Sequence, residues 1–245
     1  MTPATPVIEI KNVFKSFGDN DVLNGINITV NEGENLVILG RSGSGKSVTI
    51  KCLVGLVTAD KGEIIVFGKD ITQLRGDELN DIRTRIGFLF QNGALYDSMS
   101  VRQNLAFTLR HHTRGLSPEE IENRVMEALT NVGLEEAIDK MPSELSGGMR
   151  KRIGLARSLI IKPEIMLYDE PTSGLDSITS REITELMSTI QKKHKTTSII
   201  ITHDMASAKQ TDARIMILKD GVINAEGSYE ELEKSSDEWV RSFFI

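Results

Sequence analysis

Gly40 to Ser47 reads GRSGSGKS, directly behind the apolar run Asn35–Leu39 and ahead of Val48–Val54, a segment of helical character. In a strand, GxxxxGK[ST], helix arrangement the backbone itself becomes a ligand. Successive N–H groups curl round an anion, and a Cβ at several of those positions would block the conformation or the approach. The expected contacts are Gly40, Arg41, Ser42, Gly43, Ser44, Gly45, Lys46, Ser47 and Val48. Lys46 is expected to reach the outer phosphates of a nucleoside triphosphate and the Ser47 hydroxyl to sit on Mg²⁺.

Such a substrate carries several negative charges, so carboxylates beside it need a metal in between. IMLYDEP ends an apolar strand with Asp169 and Glu170, at the strand end where open α/β sheets bind ligands. Asp169 is expected to orient the Mg²⁺ shell and Glu170 to act as general base toward an attacking water. Gln91, after IGFLF, is an amide able to touch both water and metal, and His203, after SIIIT, is able to hydrogen-bond a γ-phosphate. Taken singly, each of these two is more often structural; their company is what favours chemistry.

A second anion site is expected at ELSGGM, Glu144 to Met149, which opens the helix-like stretch MRKRIGLARSLIIK. Ser146 as N-cap, with Gly147 and Gly148, makes a second nest at a helix N-terminus. Arg150, Lys151 and Arg152 follow in the first turn, where the macrodipole disfavours cations. Either a bound anion removes that conflict or the three simply face water. Two phosphate sites about a hundred residues apart in one chain suggest a head-to-tail pair of chains, each nucleotide covered by the loop of one and the ELSGGM helix of the other.

The elements that must hold these residues follow from periodicity. Val7–Val13 alternates apolar and polar side chains, and Asn35–Leu39, Ile86–Phe90, Ile165–Tyr168 and Ser198–Thr202 are short buried-type runs. With helical segments between several of them, they make an α/β sheet of parallel strands. From about Leu105 to Lys162 no strand is expected. There SPEEIENRVMEALTNVG offers Ser117 as N-cap, Pro118 in the first turn and Glu120 closing a capping box; Ile121, Val125, Leu129 and Val132 line one face, and Gly133 ends the helix. Asp220-Gly221 between Ile215–Leu218 and Val222–Ala225 predicts a hairpin with a primed turn. The ending WVRSFFI is apolar enough to need burial, on its own domain or on a second subunit.

Bulk properties narrow the function classes. The 245 residues carry 29 Lys and Arg against 35 Asp and Glu, a net charge of -6, which argues against a broad nucleic-acid surface. Cys52, the only cysteine, excludes an internal disulfide. MTPATPVIEI lacks the pattern of a signal peptide, and no apolar run reaches the roughly 20 residues that span a bilayer, so a soluble, cytosolic chain is expected.

Taken in order, GRSGSGKS, Gln91, LSGGM, IMLYDEP, SGLD (Ser173 to Asp176) and His203 resemble the ATP-binding cassette family over almost the whole chain. The resemblance implies a P-loop NTPase (RecA-like) α/β core with an antiparallel β subdomain, formed by 1–91 and 163–245, and a helical signature subdomain at 92–162. It implies ATP and Mg²⁺ as cofactors. Glu170, His203 and Gln91 would serve catalysis; Ser146, Gly147, Gly148 and Asp176 would bind nucleotide; Ser47, Gln91 and Asp169 would hold the metal. Phe17, in KSFG, matches the family's adenine-stacking aromatic, with a core position equally open. Met149 stands where the family usually has Gln.

FQNGALYDSMSVRQNL, LYDEPTSGLDSITS and SYEELEKSSDEWVRSFF are similar, more narrowly, to ATPases of the Mla-type phospholipid transporters. That likeness implies a membrane permease, an MCE-domain lipid-binding protein and, in some systems, a STAS-domain accessory subunit as partners, at the cytoplasmic face of the bacterial inner membrane. A small-solute transporter ATPase and a soluble cassette ATPase of translation or repair remain as alternatives. The soluble reading is disfavoured by a single cassette with no long coiled coil between Lys46 and Asp169, and a kinase would leave ELSGGM unexplained.

Overall fold

The computed structural model describes residues 5–113 and 115–244. The chain divides into two compact units, Met1–Arg83 with Thr196–Ile245, and Thr84–Lys195. In chain order the first unit begins with strands β1 (Pro6–Phe17), β2 (Asn20–Asn31) and β3 (Asn35–Leu39), helix α1 (Lys46–Leu53), strands β4 (Lys61–Val66) and β5 (Lys69–Asp70), and helix α2 (Gly76–Arg83). The second unit holds β6 (Ile86–Leu89), α3 (Val101–His112), α4 (Pro118–Thr130), α5 (Gly147–Leu159), β7 (Ile165–Asp169) and α6 (Ser177–His194). The first unit resumes with β8 (Thr197–Thr202), α7 (Met205–Gln210), β9 (Arg214–Lys219), β10 (Val222–Gly227), α8 (Tyr229–Glu233) and α9 (Glu238–Arg241).

In the first unit β3 lies between β8 and β9, parallel to both. Leu36 to Leu39 are fully buried, as a central parallel strand covered on both faces must be. The β9–β10 hairpin forms as its turn residues predict: Asp220 (φ +48°) and Gly221 (φ +77°) both adopt the left-handed conformation of a primed turn. A separate antiparallel sheet runs in the order β2-β1-β4-β5. β1 extends well past Val13, to Phe17, with register shifts between Ile10 and Val13 and between Val13 and Phe14 that interrupt its period of two.

The second unit pairs β6 with β7 in parallel and packs α3, α4 and α5 round a core that includes Val101, Leu105, Val125, Leu129 and Ile153. The α4 capping box is made as its spacing predicts: Ser117 N–H donates to Glu120 Oε2 at 2.7 Å and Glu120 N–H to Ser117 Oγ at 3.2 Å. The helix stops at Thr130, and Val132, buried, packs from the turn before Gly133. α5 ends at Leu159, short of Pro163.

The apolar C-terminal segment packs within its own unit. Val240 is buried, the Trp239 ring meets Phe243 edge-on at 4.9 Å with the Lys219 ammonium 4.5 Å from its centroid, and Phe244 meets Tyr229 at 5.0 Å. Among the described residues no helix is long and apolar enough to cross a membrane.

Candidate functional site

In the first unit the phosphate loop leaves the buried end of β3. A Cβ on Gly40 would lie 2.5 Å from Ser44 Oγ and 2.6 Å from the Leu218 carbonyl; one on Gly45 would lie 2.8 Å from the Val22 carbonyl. Gly45, at φ +103°, also holds a conformation that L side chains rarely adopt, and it turns the chain directly into α1. α1 starts with no side-chain cap and no acidic residue in its first turn, the complement of an anion placed there. The Lys46 ammonium, 6% exposed, curls back to donate to the carbonyls of Gly40 at 2.8 Å and Arg41 at 3.1 Å. Ser44 Oγ is buried without a hydrogen-bond partner, which fits a loop shaped round a group that supplies one. Arg41, Ser42 and Gly43 are exposed, and Ser47 and Val48 half-buried.

Strand register brings a second residue to this loop. Leu39 pairs with Thr202 across the parallel β3–β8 ladder, so Gly40 and His203 leave the same sheet end on adjacent strands. His203 is exposed there, and the next residue, Asp204, caps α7. Phe17, last in β1, is 50% exposed with the Lys15 ammonium 5.1 Å from its ring centroid, so it does not occupy the core position the sequence left open.

The second unit repeats the logic. Leu89 pairs with Tyr168 in the parallel β6–β7 ladder, so Gln91 and the pair Asp169–Glu170 emerge at the same end. Asp169 is buried as the last residue of β7. Glu170 follows at φ +50°, an uncommon conformation for a side chain of its size. Gln91 Nε2 donates to Ser173 Oγ at 3.2 Å, and Ser173 N–H donates to the Glu170 carbonyl at 3.2 Å. Asp176 caps α6: its carboxylate accepts from the N–H groups of Ile178 and Thr179, each at 3.0 Å, and from Thr179 Oγ1 at 2.7 Å. The Thr179 hydroxyl first, then the Thr179 N–H, hold that carboxyl below the usual aspartate range.

Ser146 caps α5 as expected, accepting from Met149 N–H at 3.2 Å. Gly147 and Gly148 are its first helical residues and neither has a positive φ, so any anion here meets the open first turn of a helix rather than a left-handed nest. Gly148 also answers to packing, since a Cβ would fall 2.7 Å from Thr179 Cγ2 of α6.

The three cations in the first turn of α5 meet different surroundings. The Lys151 ammonium is buried and donates to the carbonyls of Gln91 and Glu170, the latter at 3.1 Å. Arg152 pairs with Glu182 at 2.5 Å, and Arg150 alone of the three is exposed. Burial pulls the Lys151 pKa below the usual lysine range, against the opposing pull of the Glu170 and Asp169 carboxylates. Sequence reasoning missed Lys151 and Ser173 as site residues. For Lys151 the signal was present, a cation where the helix dipole repels one.

Ser47, Gln91 and Asp169 supply a hydroxyl, an amide and a carboxylate, the hard oxygen donors that Mg²⁺ takes. Among the described residues no three His, Cys, Asp or Glu side chains cluster as a metal cage. Donors of these kinds suit an ion bound through few protein groups and completed by phosphate and water.

A glycine phosphate loop at the end of a central parallel strand, an acidic strand end and a serine-capped, glycine-led helix define an α/β ATPase cassette. The chain belongs to the ABC transporter family, whose model matches residues 23–173. It is 42% identical over 236 residues to the probable ribonucleotide transport ATP-binding protein mkl of Mycobacterium tuberculosis, covering 96% of this chain but 66% of that one. It thus spans about two thirds of that relative's length. It is 41% identical to the methionine import ATP-binding protein MetN of Clostridium acetobutylicum, over 92% of this chain and 70% of the other. It is 38% identical to the chloroplastic TRIGALACTOSYLDIACYLGLYCEROL 3 of Arabidopsis thaliana, over 97% and 73%. Among solved structures it matches a dimeric, post-hydrolysis ATP-binding cassette bound to ADP and Pi, with TM-score 0.83, 34% identity and 90% and 98% coverage.

Proposed function

We propose that this chain is the ATP-hydrolysing, nucleotide-binding subunit of a transporter that moves phospholipid between bacterial envelope membranes. The observation that carries the ATPase reading is the phosphate loop: a cradle closed to any Cβ at Gly40 and Gly45, a lysine folded into it, and a buried serine hydroxyl without a partner. In this reading Gly40 to Val48 hold the phosphates, with Lys46 on the outer ones, and Phe17 stacks on adenine. His203 hydrogen-bonds the γ-phosphate. Glu170 takes the proton of the attacking water, while Gln91 orients that water. Mg²⁺, held through Ser47, Gln91 and Asp169, would neutralise charge developing on the phosphate oxygens. Ser146, Gly147, Gly148 and Asp176 meet the nucleotide of a second copy, in keeping with the dimeric cassette it matches. Residues 1–91 and 163–245 act as the nucleotide-binding core, and 92–162 as the signature subdomain.

The lipid reading rests on likeness to the Mla-type ATPases and on the Arabidopsis relative, whose name is that of a glycerolipid. It carries with it a membrane permease, an MCE-domain protein, a possible STAS-domain subunit and a place on the cytoplasmic face of the inner membrane. A second reading, a small-solute importer, is favoured by the MetN likeness at 41% identity. Purification of the native complex from membranes decides between them. The lipid reading expects an integral membrane protein and an MCE-domain chain to co-purify, with ATP turnover that responds to added phospholipid. A complex that instead carries a soluble solute-binding protein, and is stimulated by it alone, overturns it.

A further inference from the structure

α5 reads the backbone of the end of β6 and of the segment that follows it along a single stripe. Lys151 donates to the Gln91 carbonyl, Arg157 to the Ala94 carbonyl, and Ser158 Oγ to the Phe88 carbonyl at 2.9 Å. Between them Gly154 lies so close that a Cβ would fall 2.9 Å from both Cα and O of Gly93. Spacings of three and four put these residues on one helix face. Of the four, Lys151 alone also donates to Glu170, whose backbone sits at φ +50° directly after β7.

We propose that Lys151 is a positioning residue for ATP hydrolysis: its buried ammonium ties the carbonyls of Gln91 and Glu170 to the first turn of the Ser146-capped helix. The proposal rests on the ATPase reading above. A carbonyl fixed at Glu170 fixes the peptide plane and, with it, the direction in which the carboxylate leaves the strand end. The same ammonium fixes the backbone from which the Gln91 side chain departs. An apolar residue of equal length fills the space and restores neither bond. A general base displaced by about an ångström loses on the order of a hundredfold in rate without losing substrate, because proton transfer depends on alignment far more steeply than phosphate binding does.

The test compares Lys151→Met, which removes the donors and keeps the length, with Lys151→Arg, which keeps charge and donors, in the full chain. Phosphate release gives kcat and KM, equilibrium dialysis gives the ATP affinity, and deuterium exchange of the nucleotide-free protein follows the amides of 92–95 and 172–175. Lys151→Met is expected to lower kcat about 10- to 100-fold with KM and Kd within about twofold, and Lys151→Arg to recover most of that loss. Both amide segments are expected to exchange faster in Lys151→Met only. A kcat within about twofold of wild type overturns the proposal, as does a parallel loss of binding and turnover with unchanged exchange. If Lys151→Met does not fold, Lys151→Gln, which is shorter and uncharged, decides by the same split. A wild type that binds ATP but does not hydrolyse it counts against the ATPase reading. The exchange measurement, made without nucleotide, still reports whether Lys151 holds the two segments.

Discussion

Glu170 carries the sharpest residue-scale expectation. Its carboxylate follows the buried Asp169, and Glu170→Gln keeps shape and hydrogen bonding while removing the base. Phosphate release should slow by roughly 10² to 10⁴ with ATP still bound, and the bound form should accumulate as a dimer by light scattering. A near wild-type rate in that variant removes Glu170 as the base. Lys151 shows how far residue types alone lead. Three cations in the first turn of a glycine-led helix announced a conflict, and its partners, the carbonyls of Gln91 and Glu170, lie 60 and 19 residues away. Every residue has a carbonyl, so nothing in the sequence marks which one receives an ammonium.

At the scale of elements, capping is where sequence spoke most plainly and where pH should act. Asp176 holds the first turn of α6 through its carboxylate, whose pKa lies below the ordinary 3.8, with the Thr179 hydroxyl as the largest cause. A carboxyl depressed on folding contributes stability that is fully present above its unfolded value, about pH 4, and is lost as pH falls through the lower folded value. Asp176→Asn keeps an acceptor and cannot titrate. Its melting temperature should therefore fall less steeply than wild type below about pH 4, and parallel curves would refute this. The α4 capping box and the Asp220-Gly221 turn were legible because each depends on residues within a few positions. β2 and β4 went unread. β2 alternates cleanly only from Ile26 to Val30, behind Gly25 at φ +82° and through register shifts against β1, and β4 exposes its first three residues, so in each the period of two covers only part of the strand.

At the scale of the whole molecule, the expected unit of function is a pair. Lys46→Ala disables the phosphate loop and Ser146→Arg the helix that would face the partner's nucleotide. In a mixed dimer with shared sites, one site carries both lesions and the other carries neither, so ATP turnover should reappear on mixing two inactive preparations. Differently tagged chains allow the mixed dimer to be isolated, and silence in it excludes sites built from two copies. The match to a dimeric cassette, over 90% of this chain and 98% of that one, motivates the experiment.

The sequence by itself determined the phosphate loop, the acidic end of β7, the serine cap of α5 and the family to which they belong. Each is a short pattern whose chemistry is carried by side-chain type and near spacing. Only the tertiary structure decided that Gly40 and His203 issue from paired strands and that Lys151 joins two carbonyls. Those facts depend on strand register and on backbone acceptors that are chemically identical along the chain, so they come into being only when packing brings distant segments together.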